Sequence, residues 1–240
     1  MKSLFILSLP RSYSCGTFGH ARDALGLQEP IWTTEGEILN NDRHVFFQGD
    51  RREAGLKFTT RRAPADFARV TAFLDQIVRP AGFVYKDVVQ PFVTSSWLEG
   101  RTDLAVLKIL PDATHVVASV LARRWSYLAL AADPGGGRIY RIVQGVLRAE
   151  RAVRSVAGEE ISFDALIGGE EKLRSALQRL YPAIEVPPLG YITEDFERRR
   201  AAILRRREDP AYRLLGRLVA QQREDAAIAD GREPCASASC

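Results

Sequence analysis

A chain of 240 residues, 46% hydrophobic and 27% charged, suits one α/β domain with additions or at most two small domains. Its net charge of +4 fits an anionic ligand without demanding nucleic acid. Cys15, Cys235 and Cys240 form neither a disulfide framework nor a metal-ligand spacing, so a reducing cytoplasm is expected, and no apolar run is long enough to span a membrane.

Leu4–Leu9 is apolar except for Ser8, the pattern of a strand covered on both faces. Lys2 precedes it, but Pro10 and Arg11 end the run too soon for a signal peptide. Pro10 to Gly16 then reads as a tight polar loop, and Ser14–Leu25 as a helix ended by Gly26. A strand that runs through a loop directly into a helix makes an anion site, because unpaired N–H groups converge where the macrodipole is positive. The Gly-x-x-x-x-Gly-Lys-Ser/Thr of triphosphate loops is absent. Arg11 stands where a phosphate-binding lysine is expected, and the hydroxyls of Ser12 and Ser14 follow it.

Residues 28–65 are mixed and polar, with Trp32, Phe46, Phe47 and Phe58 scattered through them, and read as an insertion shaping an acceptor pocket. Ala65–Val78 is helical, with Phe67, Val70, Leu74, Ile77 and Val78 on one stripe. Gly82–Lys86 is the second strand, with Asp87 after its end. Leu104–Leu110 is the third, and Asp112 opens a helix through about Trp125. Pro134–Gly137 is a loop before a helix from Ile139 to about Val153. Glu160–Phe163 is a fourth strand and Glu170–Leu180 a helix. Past Pro187-Pro188 the chain is helical and highly charged, and Gly231–Cys240 reads as a frayed tail. The alternation predicts an α/β fold: a parallel β-sheet flanked by helices, with ligands at the carboxyl ends of its strands. Residues 1–230 read as a single domain, with 189–230 as a helical C-terminal extension.

Leu9-Pro10-Arg11-Ser12-x-Ser14 resembles the 5′-phosphosulfate loop of sulfotransferases, usually Pro-Arg-Ser-Gly-Ser/Thr-Thr. Val84-Tyr85-Lys86-Asp87 is similar to the Lys-Asp-Pro segment that ends a strand in many bacterial members. Leu107 to Ala113, continued through Val117-Ala118-Ser119, resembles the 3′-phosphate segment: a strand, Arg-Asp-Pro, then a helix bearing a serine. Glu160 to Leu166 is similar to the family's Tyr-Glu-Asp-Leu strand end. The matches fall in order over about residues 3–185.

The resemblance implies a P-loop NTPase-like sulfotransferase fold and a donor, 3′-phosphoadenosine 5′-phosphosulfate. The sulfuryl group would pass in line, without a metal, to a hydroxyl or amine of a small molecule or peptide, so positioning and charge neutralisation dominate. Arg11, Ser12, Tyr13, Ser14, Cys15, Gly16 and Ser119 would bind the donor, and Arg11 and Lys86 would stabilise developing charge. Gly36-Glu37 resembles the family's Gly-Glu pair, which makes Glu37 the candidate general base. Glu35, His44 and His115 are alternatives, and His20 reads as structural. Lys86 has a competing reading as a structural ion pair with Asp87.

The departures are specific. Tyr13 replaces the loop glycine, which would crowd the backbone or demand another loop conformation. Pro111 occupies the place of the 3′-phosphate arginine, and the late Arg-Lys-Gly-x-x-Gly is absent. Arg123 and Arg124, or the clusters Arg198–Arg200 and Arg205–Arg207, would either supply that cation or form a solvated basic face. A phosphotransferase with a degenerate loop, with Asp87 as its metal carboxylate, is a competing function. A non-catalytic nucleotide-binding protein is another. Nucleic acid is not an expected partner, and oligomeric state is not legible.

Overall fold

The computed structural model describes residues 1–31, 33, 35–39, 57–190 and 193–229. Their order is β1 (Leu4–Ser8), α1 (Ser14–Leu25), α2 (Pro64–Ile77), β2 (Val84–Asp87), α3 (Pro91–Leu98), β3 (Ala105–Leu110) and α4 (Ala113–Ala122). A 3-10 turn (Tyr127–Ala131) follows, then α5 (Arg138–Ser155), β4 (Glu159–Ser162), α6 (Phe163–Gly168), α7 (Glu171–Leu180), α8 (Glu194–Arg207) and α9 (Pro210–Ala229).

The strands form one all-parallel sheet in the order β2-β1-β3-β4. Every residue of β1, β2 and β3 is buried, which is why their sequences read as continuous runs rather than alternating ones. Strand parity then sorts the side chains. Leu4, Ile6, Val84, Leu107 and Ile109 pack with α1, α6 and α7 on one face. Phe5, Leu7, Tyr85 and Val106 pack with α2 to α5 on the other. The edge strand β4 buries only Ile161. The opposite edge, β2, is continued by the chain after α1, since Gln28 pairs with Phe83 and Glu37 with Lys86 in parallel bridges.

Several expectations change. Within the expected insertion, Gln28 and Glu37 bridge to the sheet edge, and Phe58 is buried, with its amide bonded to the Val89 carbonyl at 2.7 Å. Residues 40–56, Trp32, Phe46, Phe47, His44 and the tail 231–240 with Cys235 and Cys240 lie outside the described residues. Asp87 belongs to β2 rather than following it. The α4 helix ends at Ala122, short of Trp125, and Arg124 (φ 57°) turns the chain into the 3-10 segment. Ser162 ends β4 and its hydroxyl accepts the Ala165 N–H at 3.1 Å, so Phe163 starts α6. The α3 helix escapes a pattern search because Pro91, Val93, Thr94, Ser95, Trp97 and Leu98 are all buried, which leaves no polar face and no period. No described helix is long and apolar enough to cross a membrane.

Gly145 of α5 packs against the 3-10 turn so closely that an added Cβ would lie 1.8 Å from the Leu128 carbonyl oxygen. Backbone cannot yield as a side-chain end can, so Gly145→Ala should cost about 2–3 kcal/mol by overpacking. Gly216 of α9 meets nothing closer than 3.8 Å, and Gly216→Ala should stabilise by about 0.5–1 kcal/mol through helix propensity. Thermal unfolding of both variants is expected to move in opposite directions, and a neutral Gly145→Ala would refute the packing described.

Candidate active site

The strand order opens a crevice. The β1 strand feeds α1 onto one face of the sheet and β3 feeds α4 onto the other, so the space beyond their carboxyl ends is left uncovered. The loop after β1 fills its floor. Arg11 (φ 69°) and Tyr13 (φ 62°) are left-handed, and such residues beside right-handed ones turn successive amides to one side, a concavity that suits anions. The Tyr13 carbonyl accepts both the N–H and the hydroxyl of Thr17 at 3.1 Å, which locks the loop to the first turn of α1. Tyr13 therefore keeps glycine-like dihedrals despite its side chain, at a strain of about 1–2 kcal/mol. Its ring lies over Gly16, where an added Cβ would stand 2.6 Å from it, and meets Phe196 edge-on at 5.6 Å. Ser12 is 1% exposed, and its hydroxyl has no partner among the described residues.

Above the loop is a cavity of about 480 Å³, within the range of small-molecule sites. Its walls bring together the loop residues Arg11 to Gly16, His115 and Ser119 of α4, Phe163 of α6, and Arg199 and Arg206 of α8. The basic clusters of α8 thus divide. Arg207 pairs with Asp112 at 2.8 Å and with Asp164. Arg198 and Arg199 share Asp195, and Arg200 takes Glu197. Arg206 instead donates to the Ser119 hydroxyl at 3.4 Å. Among the described residues no carboxylate pairs with Arg11 or Arg206, so the α8 arginines are not simply a solvated face. Desolvation, then the charges of Arg123, Arg206 and Arg199, hold the Arg11 guanidinium below its ordinary pKa, with Cys15 opposing. Arg123 itself lies over the Trp125 ring at 5.5 Å.

The second centre touches the first through Cys15. Parity turns Lys86 toward α1 and Asp87 away from it. Lys86 is fully buried, with its ammonium 3.1 Å from Cys15 Sγ, 3.2 Å from Glu37 Oε1 and 3.6 Å from Glu35 Oε2. It also lies 5.8 Å from the centre of the Phe18 ring. Burial disfavours its charge, but Glu37 and Cys15 outweigh burial and raise its pKa. The ion pair with Asp87 is not formed. Asp87 accepts the Val89 and Gln90 amides and the Thr94 hydroxyl, at 2.9, 3.1 and 2.6 Å, and so fixes the start of α3.

Glu37 arrives beside Lys86 because Gly36 (φ 69°) makes a turn that few other residues allow. A Cβ at Gly36 would also lie 2.1 Å from the Phe18 ring. The Gly36 carbonyl accepts the Lys86 amide at 2.8 Å, and the Lys86 carbonyl accepts the Ile38 amide at 3.3 Å. Cys15, Glu35 and Glu37 bring donor atoms within 4.8 Å of one another, as a metal site would. The Lys86 ammonium already contacts all three, so the cation position is filled by the chain itself.

Most candidate residues therefore meet at one end of the sheet: Arg11 to Gly16 and Ser119 around the cavity, Lys86 and Glu37 beside Cys15. His20 and His115 line the cavity, and Pro111 is buried at the end of β3. Sequence reasoning did not find Phe163 or Phe196, and it named the clusters Arg198–Arg200 and Arg205–Arg207 without separating the inward Arg199 and Arg206 from the rest. It also missed Tyr127, whose phenol pKa is raised by burial and by Glu37, with Arg11 opposing. No protein-family model matches this chain, and no curated protein matches it at a significant level.

His115 is 7% exposed, stacks on Phe163 at 4.8 Å, and has no partner at Nδ1 among the described residues. Burial pushes its pKa down to about 4; Asp112 opposes, while Arg206, Arg11 and Arg207 reinforce the shift. The unfolded chain takes up this proton near pH 6.5, the folded chain only near pH 4. Stability is thus lost as pH falls through that window, on the order of 3 kcal/mol at its acid end. Denaturant midpoints measured from pH 7 to 4 should show the loss, and His115→Gln should flatten it. An equal slope in the variant would assign the effect to other groups.

Proposed function

We propose that this chain is a sulfotransferase with a P-loop-like sulfotransferase fold. It would move the sulfuryl group of 3′-phosphoadenosine 5′-phosphosulfate to a hydroxyl or amine of a small molecule or peptide. The observation that carries this reading is the junction at Cys15. On one side lies an anion cavity with surplus cations, and on the other a buried ammonium held by a carboxylate.

Each part has a task in an in-line transfer. The loop amides, Arg11 and the unpartnered Ser12 hydroxyl hold the phosphosulfate. The bond between sulfur and the bridging phosphate oxygen breaks as the acceptor oxygen bonds to sulfur, and the acceptor proton passes to Glu37. Lys86 neutralises the charge left on the phosphate oxygen. Its raised pKa keeps it an ammonium at neutral pH, which suits an electrostatic role and not a basic one. Glu37, at 17% exposure, remains reachable by an acceptor from the solvent side.

Phosphoryl transfer from a nucleoside triphosphate is the weaker reading. It asks for a metal-holding carboxylate at this end of the sheet. Both oxygens of Asp87, the candidate there, are committed to α3.

Calorimetry should show adenosine 3′,5′-bisphosphate binding more tightly than ATP with Mg²⁺. Preference for ATP would overturn the proposal. Glu37→Gln keeps an acceptor for Lys86 and should retain nucleotide affinity while lowering turnover about 10²–10⁴-fold, read as bisphosphate release with a panel of phenols and amines. Full activity in this variant would remove Glu37 as the base.

A further inference from the structure

A second cavity, of about 320 Å³, shares no described lining residue with the candidate active site. It lies over α3, which packs between α2 and α5. Val93 and Trp97 turn inward from α3, and the Trp97 ring meets Phe5 of β1 at 5.8 Å. The opposite face carries Phe92, Ser95, Ser96 and Glu99, spaced i, i+3, i+4 and i+7, and all of them line the cavity. Its volume is at the small end of the range for small-molecule sites.

Three kinds of group converge there. Phe67 of α2 and Phe92 supply an apolar wall, and both are half-buried. The Arg61 guanidinium donates to the Ser96 hydroxyl at 3.2 Å and stands 5.8 Å from the centre of the Phe67 ring, and no described carboxylate pairs with it. Ser95 is 6% exposed, and its hydroxyl has no partner among the described residues. A buried hydroxyl that no protein group satisfies is a donor ready for an incoming acceptor. Beside a positioned guanidinium, it favours an anionic group.

Glu99 sets which anion. It stands just past the end of α3, where unpaired carbonyls add negative partial charge, and no described cation pairs with it. A carboxylate so placed repels a phosphate dianion and attracts an ammonium. Ser96 and Glu99 are neighbours on the helix surface, about 5–6 Å apart at Cβ, so one small molecule can reach both ends. We infer that this groove binds a zwitterion of the α-amino acid class with an apolar side chain. The carboxylate lies on Arg61 and Ser95, the ammonium on Glu99, and the side chain against Phe67 and Phe92. Sulfuryl transfer uses none of these groups, so the site stands whether or not the donor reading does.

The test is a ligand-observed NMR titration of the full chain at neutral pH. The probes are L-phenylalanine, L-leucine, 3-phenylpropanoate (no ammonium) and 2-phenylethylamine (no carboxylate). The wild type should bind the amino acids with millimolar or tighter affinity, and bind phenylalanine about threefold or more tighter than either single-charge analogue. Arg61 and Glu99 are both exposed, so replacing them leaves the core intact. Arg61→Ala should weaken phenylalanine and 3-phenylpropanoate about 10-fold, the range for a lost charge-assisted hydrogen bond, and leave 2-phenylethylamine unchanged. Glu99→Gln should do the reverse, weakening phenylalanine and 2-phenylethylamine about 3–5-fold. A wild type that binds neither amino acid would overturn the site. Binding that both variants leave intact would place the ligand elsewhere and overturn it equally. A wild type that binds 3-phenylpropanoate as well as phenylalanine would overturn the assignment of a zwitterion.

Discussion

The buried ammonium of Lys86 is the constraint around which this end of the molecule is organised. An uncompensated charge in the interior costs several kcal/mol, so Lys86 can stand in β2 only where partners surround its head. Those partners come from three places. Cys15 comes from the start of α1, Phe18 from its first turns, and Glu35 and Glu37 from the segment that follows the sheet edge. The pairing of Glu37 with Lys86 in both backbone and side chain holds residues 35–39 against β2. Parity does the rest. A slip of one residue would exchange Lys86 and Asp87 between faces, placing a carboxylate against α1 and an ammonium at the start of α3. A buried pair of this kind is weak evidence of stabilisation, since apolar residues of similar volume often do as well.

The cavity shows the complementary imbalance. Lys86 is matched by anionic and polar partners, whereas among the described residues no carboxylate pairs with Arg11 or Arg206, and burial, reinforced by the like charges, lowers the pKa of Arg11 and of His115. Like charges gathered in one cavity repel one another, and an anion there would relieve that repulsion. The carboxylates nearby are committed elsewhere, with Asp195 on Arg198 and Arg199, and Asp112 and Asp164 on Arg207. They hold the cationic helix in place, and Asp195 also pairs with Arg199 at the cavity wall, so among the described residues of α8 that line the cavity Arg206 is the arginine left without a carboxylate.

Legibility in the sequence followed the physics of each element. The β1-loop-α1 unit was readable because a fully buried strand leaves a continuous apolar run and Gly26 supplies the left-handed cap. The β3-to-α4 passage was readable through Asp112, which caps the helix as its position suggested. The α3 helix was not, because burial on every side erases the period that marks a helix. Glu37 was reachable only through its resemblance to a Gly-Glu pair. The reason for that glycine, the Phe18 ring beneath it, is tertiary. The direction of α8 was hidden as well. Six arginines in two triplets look alike in sequence, and only the docking of Phe196 and the Arg207 latch decides which of them face the cavity.

That docking is slight for a helix of fourteen residues, since Phe196 is its only buried side chain. The helix is held mainly by the Arg207 latch and by its junction with α9, and surface ion pairs contribute little, about 0–1 kcal/mol each. A dianionic ligand that contacts both the β1 loop and Arg206 would tie α8 to the sheet through the cavity. It would bind the docked helix in preference to a detached one, so ligand binding and helix docking would become linked equilibria. Repulsion among the cavity cations and the slight packing of α8 would both be offset by such a ligand.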